Sequence, residues 1–373
     1  MRVRVEAAAL AAQTAWAGRV LPARPSVPVL AGLLLQAGPD GLEVAAYDYE
    51  TAARAAVEAQ VAQEGRVLLP GAVLAAATAA LPEGEAVLEV DAAAAVLSCG
   101  GATYRIPVLA VEDYPDVPRP GAAAGRAQGL RGGVERTAVA ADPASALPVL
   151  TGVRLRTTPD GLEASATDRY RAARARIGWT PAADAGELDV LAPAGRLAWA
   201  AKTIDADEVE VGSEQGVVWV ADARRAVLMR TIDADPPDLD RFMAPPSGGV
   251  VIEAQAEELA AAVRRAAVMC AKTTPIRLEG AEEEHLVLLA EDPDGGGAVR
   301  AQAPARVSGL DALTGPVAWN PRFLLDALGA LRSARVRLAA ADTAKPCLLT
   351  PLDEDGRAEQ GYAHLVMCVR LST

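Results

Sequence analysis

PDGLEVAAYDYETAARA at 39–55 returns 120 residues later as PDGLEASATDRYRAARA at 159–175. The register continues upstream, where VPVLAGLLLQAG at 27–38 lies over LPVLTGVRLRTT at 147–158. Pro28, Val29, Leu30 and Gly32 fall on Pro148, Val149, Leu150 and Gly152, and Asp48 falls on Asp168. Matching alanines mean little in an Ala-rich chain. Matching Pro, Gly, Asp and Leu at fixed spacing means more, because these residues fix turns and inward-facing positions. In a chain of 373 residues this repeat predicts three domains.

Secondary-structure signals repeat with it. EAVLEVDAAAAVLSCGGATYRIPVL at 85–109 and DEVEVGSEQGVVWVADARRAVLMRTI at 207–232 alternate like strands of an antiparallel meander, ending in VEDYPDVP at 111–118 and DADPPDLD at 233–240. Helices opened by Pro precede or recur beside them at 69–82 and 192–204, and in 319–342 Asn320 is an N-cap with Pro321 at the first helical position. Ala-rich helices open each third at 6–19, 131–141 and 255–271. Each third therefore reads helix, strands, helix, strands, an α+β fold. Pro/Gly-rich linkers at 118–129 and 244–250 divide it into 1–126, 127–247 and 248–373. Internal repetition of this kind suggests head-to-tail assembly.

The bulk numbers exclude several classes. Cys99, Cys270, Cys347 and Cys368 are scattered without a CxxC, which speaks against a zinc site or disulfide framework and for a reducing compartment. No leader-like or membrane-spanning apolar run is present, so a cytoplasmic protein is expected. The net charge of −13 argues against tight phosphate binding. The only histidines are His285, an exposed strand start, and His364, in a strand; no nucleophile–base pair and no nucleotide or metal motif appears. Asp48 and Asp168 read as a repeated turn, not a catalytic pair. A hydrolase on a repeat scaffold is the remote alternative.

ARPSVPVLAGLLL at 23–35, DYPDVP at 113–118, LPVLTGVRL at 147–155, ATDRYR at 166–171, DPPDLDRF at 235–242, NPRFLLDAL at 320–328, TAKPCLLT at 343–350 and LVMCVRL at 365–371 together resemble the bacterial DNA polymerase III β subunit, the sliding clamp. The resemblance implies three clamp domains per chain and two chains closing a six-domain ring around duplex DNA. It implies a non-catalytic processivity factor without cofactor or metal. A ring holds DNA by topology, so weak phosphate contacts suffice and the negative charge is accommodated. The lining residues it suggests are Arg24, Arg131, Arg136, Arg196, Lys202, Arg264, Arg265 and Arg322.

The same resemblance implies an apolar pocket between the second and third domains for short peptides of the polymerase III alpha subunit, the clamp loader and repair proteins. Its wall would comprise Leu150, Thr167, Arg169, Tyr170, Arg171, Ala172, Pro237, Arg241, Phe242, Pro346, Val366, Met367, Cys368, Val369 and Arg370. Tyr104 and Ile106 on one side, with Val268 and Met269 on the other, would form the dimer junction. The chain departs from the family at Ala172, usually bulky, and at Cys368, usually Pro. An altered pocket suggests as an alternative a second clamp copy that gives self-resistance to a cyclic peptide antibiotic directed at the pocket. On that expectation Ala172→Phe with Cys368→Pro restores the usual pocket.

Overall fold

A computed structural model describes the chain except residues 26, 92, 184–185, 205, 269, 271–273, 283, 292–295, 314, 342–344 and 372–373. Among the described residues are six α-helices: α1 Ala7–Ala17, α2 Gly71–Ala79, α3 Leu130–Ala138, α4 Ala194–Thr203, α5 Ala256–Ala267 and α6 Pro321–Leu331. They fall two to each repeat, at the six expected places, between antiparallel strands. The α+β reading therefore stands.

Local chemistry explains the helices. In α6 the Asn320 side chain accepts the Arg322 backbone N–H at 3.0 Å, and Pro321 occupies the first helical position where no donor is needed. In α5, Glu257 and Glu258 open the helix and Arg264 and Arg265 close it, complementing the helix dipole, while Leu259, Val263 and Ala266 are buried. The helices α1 and α2 carry few large side chains and pack closely. Thr14 and Thr78 meet between them at 2.8 Å; one hydroxyl donates to the other, which donates to the carbonyl four residues before it, so neither is orphaned.

The chain forms two compact units that cut across the repeats. One comprises Met1–Ala127, Thr180–Gly186 and Trp199–Thr231; the other comprises Gln128–Trp179, Glu187–Ala198 and Ile232–Thr373. The middle repeat thus contributes strands to both. In the first unit the strand Arg225–Arg230 runs antiparallel beside Thr51–Val57, with Leu228 opposite Ala52. In the second, Tyr362–Met367 runs beside Arg171–Pro181, with Leu365 opposite Ala172. The two pairings are the same event at the 120-residue offset: a strand of one repeat covers the edge of its neighbour's sheet. Part of the expected linker at 118–129 instead folds as the strand Gly125–Gln128, with Ala127 buried.

The repeated Asp makes the repeated turn. The Asp48 carboxylate accepts the backbone N–H groups of Glu50 and Thr51 at 3.0 and 2.6 Å, and Asp168 accepts those of Tyr170 and Arg171, both at 2.9 Å. Both aspartates hold backbone through one carboxylate oxygen, and the other oxygen of Asp168 bonds the Arg171 guanidinium.

Candidate functional site

The turn at Asp168 shapes the site. Thr167 Oγ1 donates to the Arg171 carbonyl at 2.7 Å and accepts the Arg169 N–H at 3.1 Å. These bonds hold Arg169 at φ 78°, a left-handed conformation that non-glycine residues rarely adopt. Consecutive side chains then diverge. Tyr170 turns outward, 56% exposed, and stacks on Phe323 with ring centroids 6.2 Å apart. Arg171 turns inward, where its guanidinium bonds Asp168 at 2.9 Å and Asp326 at 2.6 Å and lies 4.7 Å from the Phe323 ring. The Tyr170 carbonyl accepts the Met367 N–H at 2.8 Å, tying the turn to the last strand.

Beside the turn lies an apolar floor. Ala172, Met243, Leu348 and Leu365 form one buried cluster, with Leu239, Ala363 and Met367 packed against it. Phe242 is exposed beside the floor, with the Arg241 guanidinium 4.5 Å from its ring. Pro346 pairs with Met367 across the strands, and Pro237 is exposed. The site offers aromatic surface over an aliphatic base, as peptide capture requires. Leu150 is buried, Val369 is half-buried and Arg370 exposed.

Three expectations change here. Ala172 is only 2% exposed and lies in the cluster with Met243, so it does not present an open hollow. A Phe at position 172 would have to displace this packing, an overpacking cost of about 1–3 kcal/mol, and does not simply rebuild a pocket. Val366 is wholly buried and opposes Arg171, on the strand face opposite Leu365 and Met367; it is core. Cys368 is likewise nearly buried and free of disulfide.

The first repeat shows why an equivalent floor there is shut. Ala52 pairs with Leu228 as Ala172 pairs with Leu365, but Trp219 stands opposite Leu228 where Leu348 stands opposite Leu365. Trp219 packs over Ala52, and Tyr114 reaches in to accept the Tyr47 N–H at 2.8 Å. The indole fills the volume over Ala52, and the Tyr114 phenol packs in the adjoining cluster with Leu30, Leu34 and Leu68.

Behind the site, Arg136 is structural. Its guanidinium donates to the Ala330 and Leu331 carbonyls at 2.9 Å each, capping the C-terminus of α6, and lies 3.8 Å from the Tyr362 ring. Two of its five N–H donors are thereby tied to α6, so half-buried Arg136 is anchored there and is not an unattached surface cation. Tyr362 donates to the Arg136 carbonyl at 3.0 Å and lies 2.9 Å from His364 Nδ1. Burial, with the nearby Arg171 charge, pushes the His364 pKa down to about 3. The unfolded chain, with His near 6.5, takes up this proton first, so the associated stability is complete above pH 6.5 and is lost as pH falls toward 3. Urea unfolding between pH 7 and 5 should lose about 1.4 kcal/mol per pH unit more in wild type than in His364→Gln once below pH 6.5. Equal slopes would show that His364 is not held neutral.

The other suggested cations are placed differently. Arg24, Arg131, Lys202, Arg264, Arg265 and Arg322 are exposed, the last five on helices, while Arg196 is half-buried on α4. Arg264 pairs with Glu257 at 2.8 Å, and Arg265 donates to the Gln302 carbonyl at 2.9 Å. Of the junction residues, Val268 is 79% exposed and Tyr104 half-exposed. Ile106 is 1% exposed, so it belongs to the core and offers a partner no surface; Met269 lies outside the described residues.

Phe323, Asp326, Met243 and Leu348 belong to the site and were not among the residues read from the sequence. One signal was available. The chain has only two phenylalanines, and both Phe242 and Phe323 are here. Among the described residues no helix is long and apolar enough to cross a membrane.

Comparison with known proteins returns one family along the whole chain. The N-terminal, central and C-terminal domain models of the DNA polymerase III beta subunit match residues 1–118, 126–238 and 243–367. A beta sliding clamp of Streptomyces coelicolor is 35% identical over 100% of both chains. A protein described as beta sliding clamp homolog GriR, from Streptomyces muensis, is 29% identical over 99% of both. Among solved structures, a DnaN sliding clamp of Pseudomonas aeruginosa bound to griselimycin aligns over 100% of both chains with a TM-score of 0.87 at 22% identity.

Proposed function

Because the chain belongs to the DNA polymerase III beta subunit family, we propose that two copies close head to tail around duplex DNA and tether partner proteins through the pocket beside Tyr170. The protein is a sliding clamp, a non-catalytic processivity factor of three similar α+β domains, and from the sequence we place the domain boundaries near 126 and 247. The single observation that carries the ring is the pattern of strand edges. Within each compact unit one repeat's last strand covers the edge of the preceding repeat. Two edges of this repeat-joining kind are left over among the described residues. Ala102–Pro107 pairs only with Ala94–Cys99, and Ala298–Ser308 along 298–304 pairs only with His285–Glu291. These are the counterparts of the edges joined elsewhere, so a second copy can complete the series twice and close it. Tyr104 lies on the first of these edges.

The exposed helix cations Arg131, Lys202, Arg264, Arg265 and Arg322, with Arg24, supply weak, sliding phosphate contacts in this reading. Retention is then topological. After loading, the protein should persist on nicked circular DNA and leave linear duplex quickly, with added salt loosening only the linear complex strongly. Light scattering should give a dimer at micromolar concentration. A monomer, or equal loss from circles and linear DNA, would sink the ring.

The partners are the polymerase III alpha subunit, the clamp loader and other proteins that carry a short apolar clamp-binding peptide, and the cytoplasm is where they meet. A second reading, a pocket-altered clamp that evades a cyclic peptide antibiotic, is favoured by the packing of Met243 with Ala172. A flexible peptide can repack around Met243, whereas a rigid macrocycle cannot. Griselimycin should therefore bind this protein at least about tenfold more weakly than it binds the Pseudomonas aeruginosa clamp, a difference of about 1.4 kcal/mol. Calorimetry checks it, and equal affinity leaves only the housekeeping clamp.

A further inference from the structure

We propose that the apolar pocket continues into a seat for one carboxylate of the docked peptide, and that Asp240 occupies this seat in the free protein. The inference rests on the peptide-pocket reading. The strand face that carries Ala172 carries Arg174 two residues on, about 7 Å along the strand. There a cavity of about 440 Å³ opens, lined by Arg156, Arg174, Glu163 and Asp240 and also by Met243, Leu348 and Ala363 of the apolar floor. Floor and cavity are therefore one depression.

Arg176 and Asp160 pair with each other at 3.0 Å and Glu359 also lines the cavity, so among the described residues the only place for an incoming anion is the one Asp240 holds beside Arg156 and Arg174. Glu163, with its side chain 14% exposed, approaches Arg156 at 3.3 Å and Arg174 at 3.2 Å, so two guanidinium groups share one fixed carboxylate. Asp240 balances the remaining charge, 2.5 Å from Arg174 and 3.9 Å from Arg156. Its side chain is 58% exposed and stands on a segment outside any helix or strand, so water or a ligand can exchange with it. Even so, the buried Nε atoms of Arg156 and Arg174 have no hydrogen-bond acceptor, because the approach of Glu163 to Arg174 Nε is not aligned. The terminal nitrogens that face Asp240 are the ones an entering carboxylate can take, forming charge-assisted hydrogen bonds in its place.

The first repeat supplies the control. Arg54 corresponds to Arg174 and Glu43 to Glu163. Arg54 is satisfied from within: Nε bonds Glu43 at 3.2 Å and a terminal nitrogen bonds the Val117 carbonyl at 3.0 Å. The second repeat replaces that carbonyl with an exchangeable carboxylate. Asp240 also shares its segment with Phe242 and Met243, so its release loosens the side chain packed with Ala172. Carboxylate capture and opening of the floor are coupled.

The test uses the full-length protein and two linear peptides with identical apolar anchors, one carrying Glu beside the anchors and one Gln, the position being varied on both sides. Wild type should prefer the Glu peptide only a few-fold, because Asp240 competes. Asp240→Asn should raise the preference to about tenfold or more, the value of one charge-assisted hydrogen bond. Arg174→Gln and, independently, Arg156→Gln should abolish it, with thermal unfolding confirming that each variant is folded. Tight binding of both peptides to Asp240→Asn without charge preference overturns the seat and leaves the pocket standing. No binding of either peptide to any variant overturns both.

Discussion

Replacing Arg171 with Ala should destabilise the fold by about 3–5 kcal/mol, because it leaves a buried carboxylate without its counter-charge. Arg171 and Asp168 are both buried, and Asp168 keeps only the backbone donors of the turn once the guanidinium is gone. Asp326 on α6 loses its 2.6 Å partner in the same step, and Phe323 loses the cation beside its ring. Arg171 supplies the charged link between the turn and α6, beside the Tyr170–Phe323 stack, so the pocket should loosen as stability falls. Arg171→Lys keeps the charge but not the fork that reaches two carboxylates, and should recover less than half of the loss. Urea unfolding measures both variants. A loss under 1 kcal/mol in Arg171→Ala would mean that the two carboxylates are solvated in the folded state.

Tyr170→Ala should do the reverse, sparing stability while removing function. The ring is largely exposed and its contact is a stack on Phe323, so unfolding free energy should change by about 0.5 kcal/mol or less. Exposed aromatic rings at the mouth of an apolar pocket are the usual anchors of peptide binding, and losing one costs about 2 kcal/mol or more, roughly thirtyfold in affinity. Titrating a linear apolar clamp-binding peptide into wild type and Tyr170→Ala checks this. Unchanged affinity would move the binding surface away from the 167–171 turn.

The repeat at 39–55 and 159–175 was legible because it is written in residues with local consequences. An Asp followed by two backbone donors makes its turn wherever it stands, and Asn320 caps α6 with the amide two residues on. Glycines and prolines break the chain at the same places in each repeat. Six helices and the α+β class therefore follow from stretches of about a dozen residues. The site was legible in part, because ATDRYR and LVMCVRL carry its turn and last strand.

Side-chain destinations were not legible. Arg136 reads as an exposed helix cation, yet its donors reach carbonyls 194 and 195 residues away. Ile106 alternates as a strand residue should, but alternation does not say how deep each position lies, and Ile106 is buried while Tyr104 on the same face is half-exposed. Ala172 reads as a hollow until Met243, from a segment of no regular structure, packs beside it. The sequence by itself determined the repeat, the turns, the caps and the fold class, because those depend on neighbours along the chain. Only the tertiary structure decided which arginines are free to meet a ligand and how open the pocket is. Both depend on volume and charge delivered from residues far apart in sequence, and no local pattern records them.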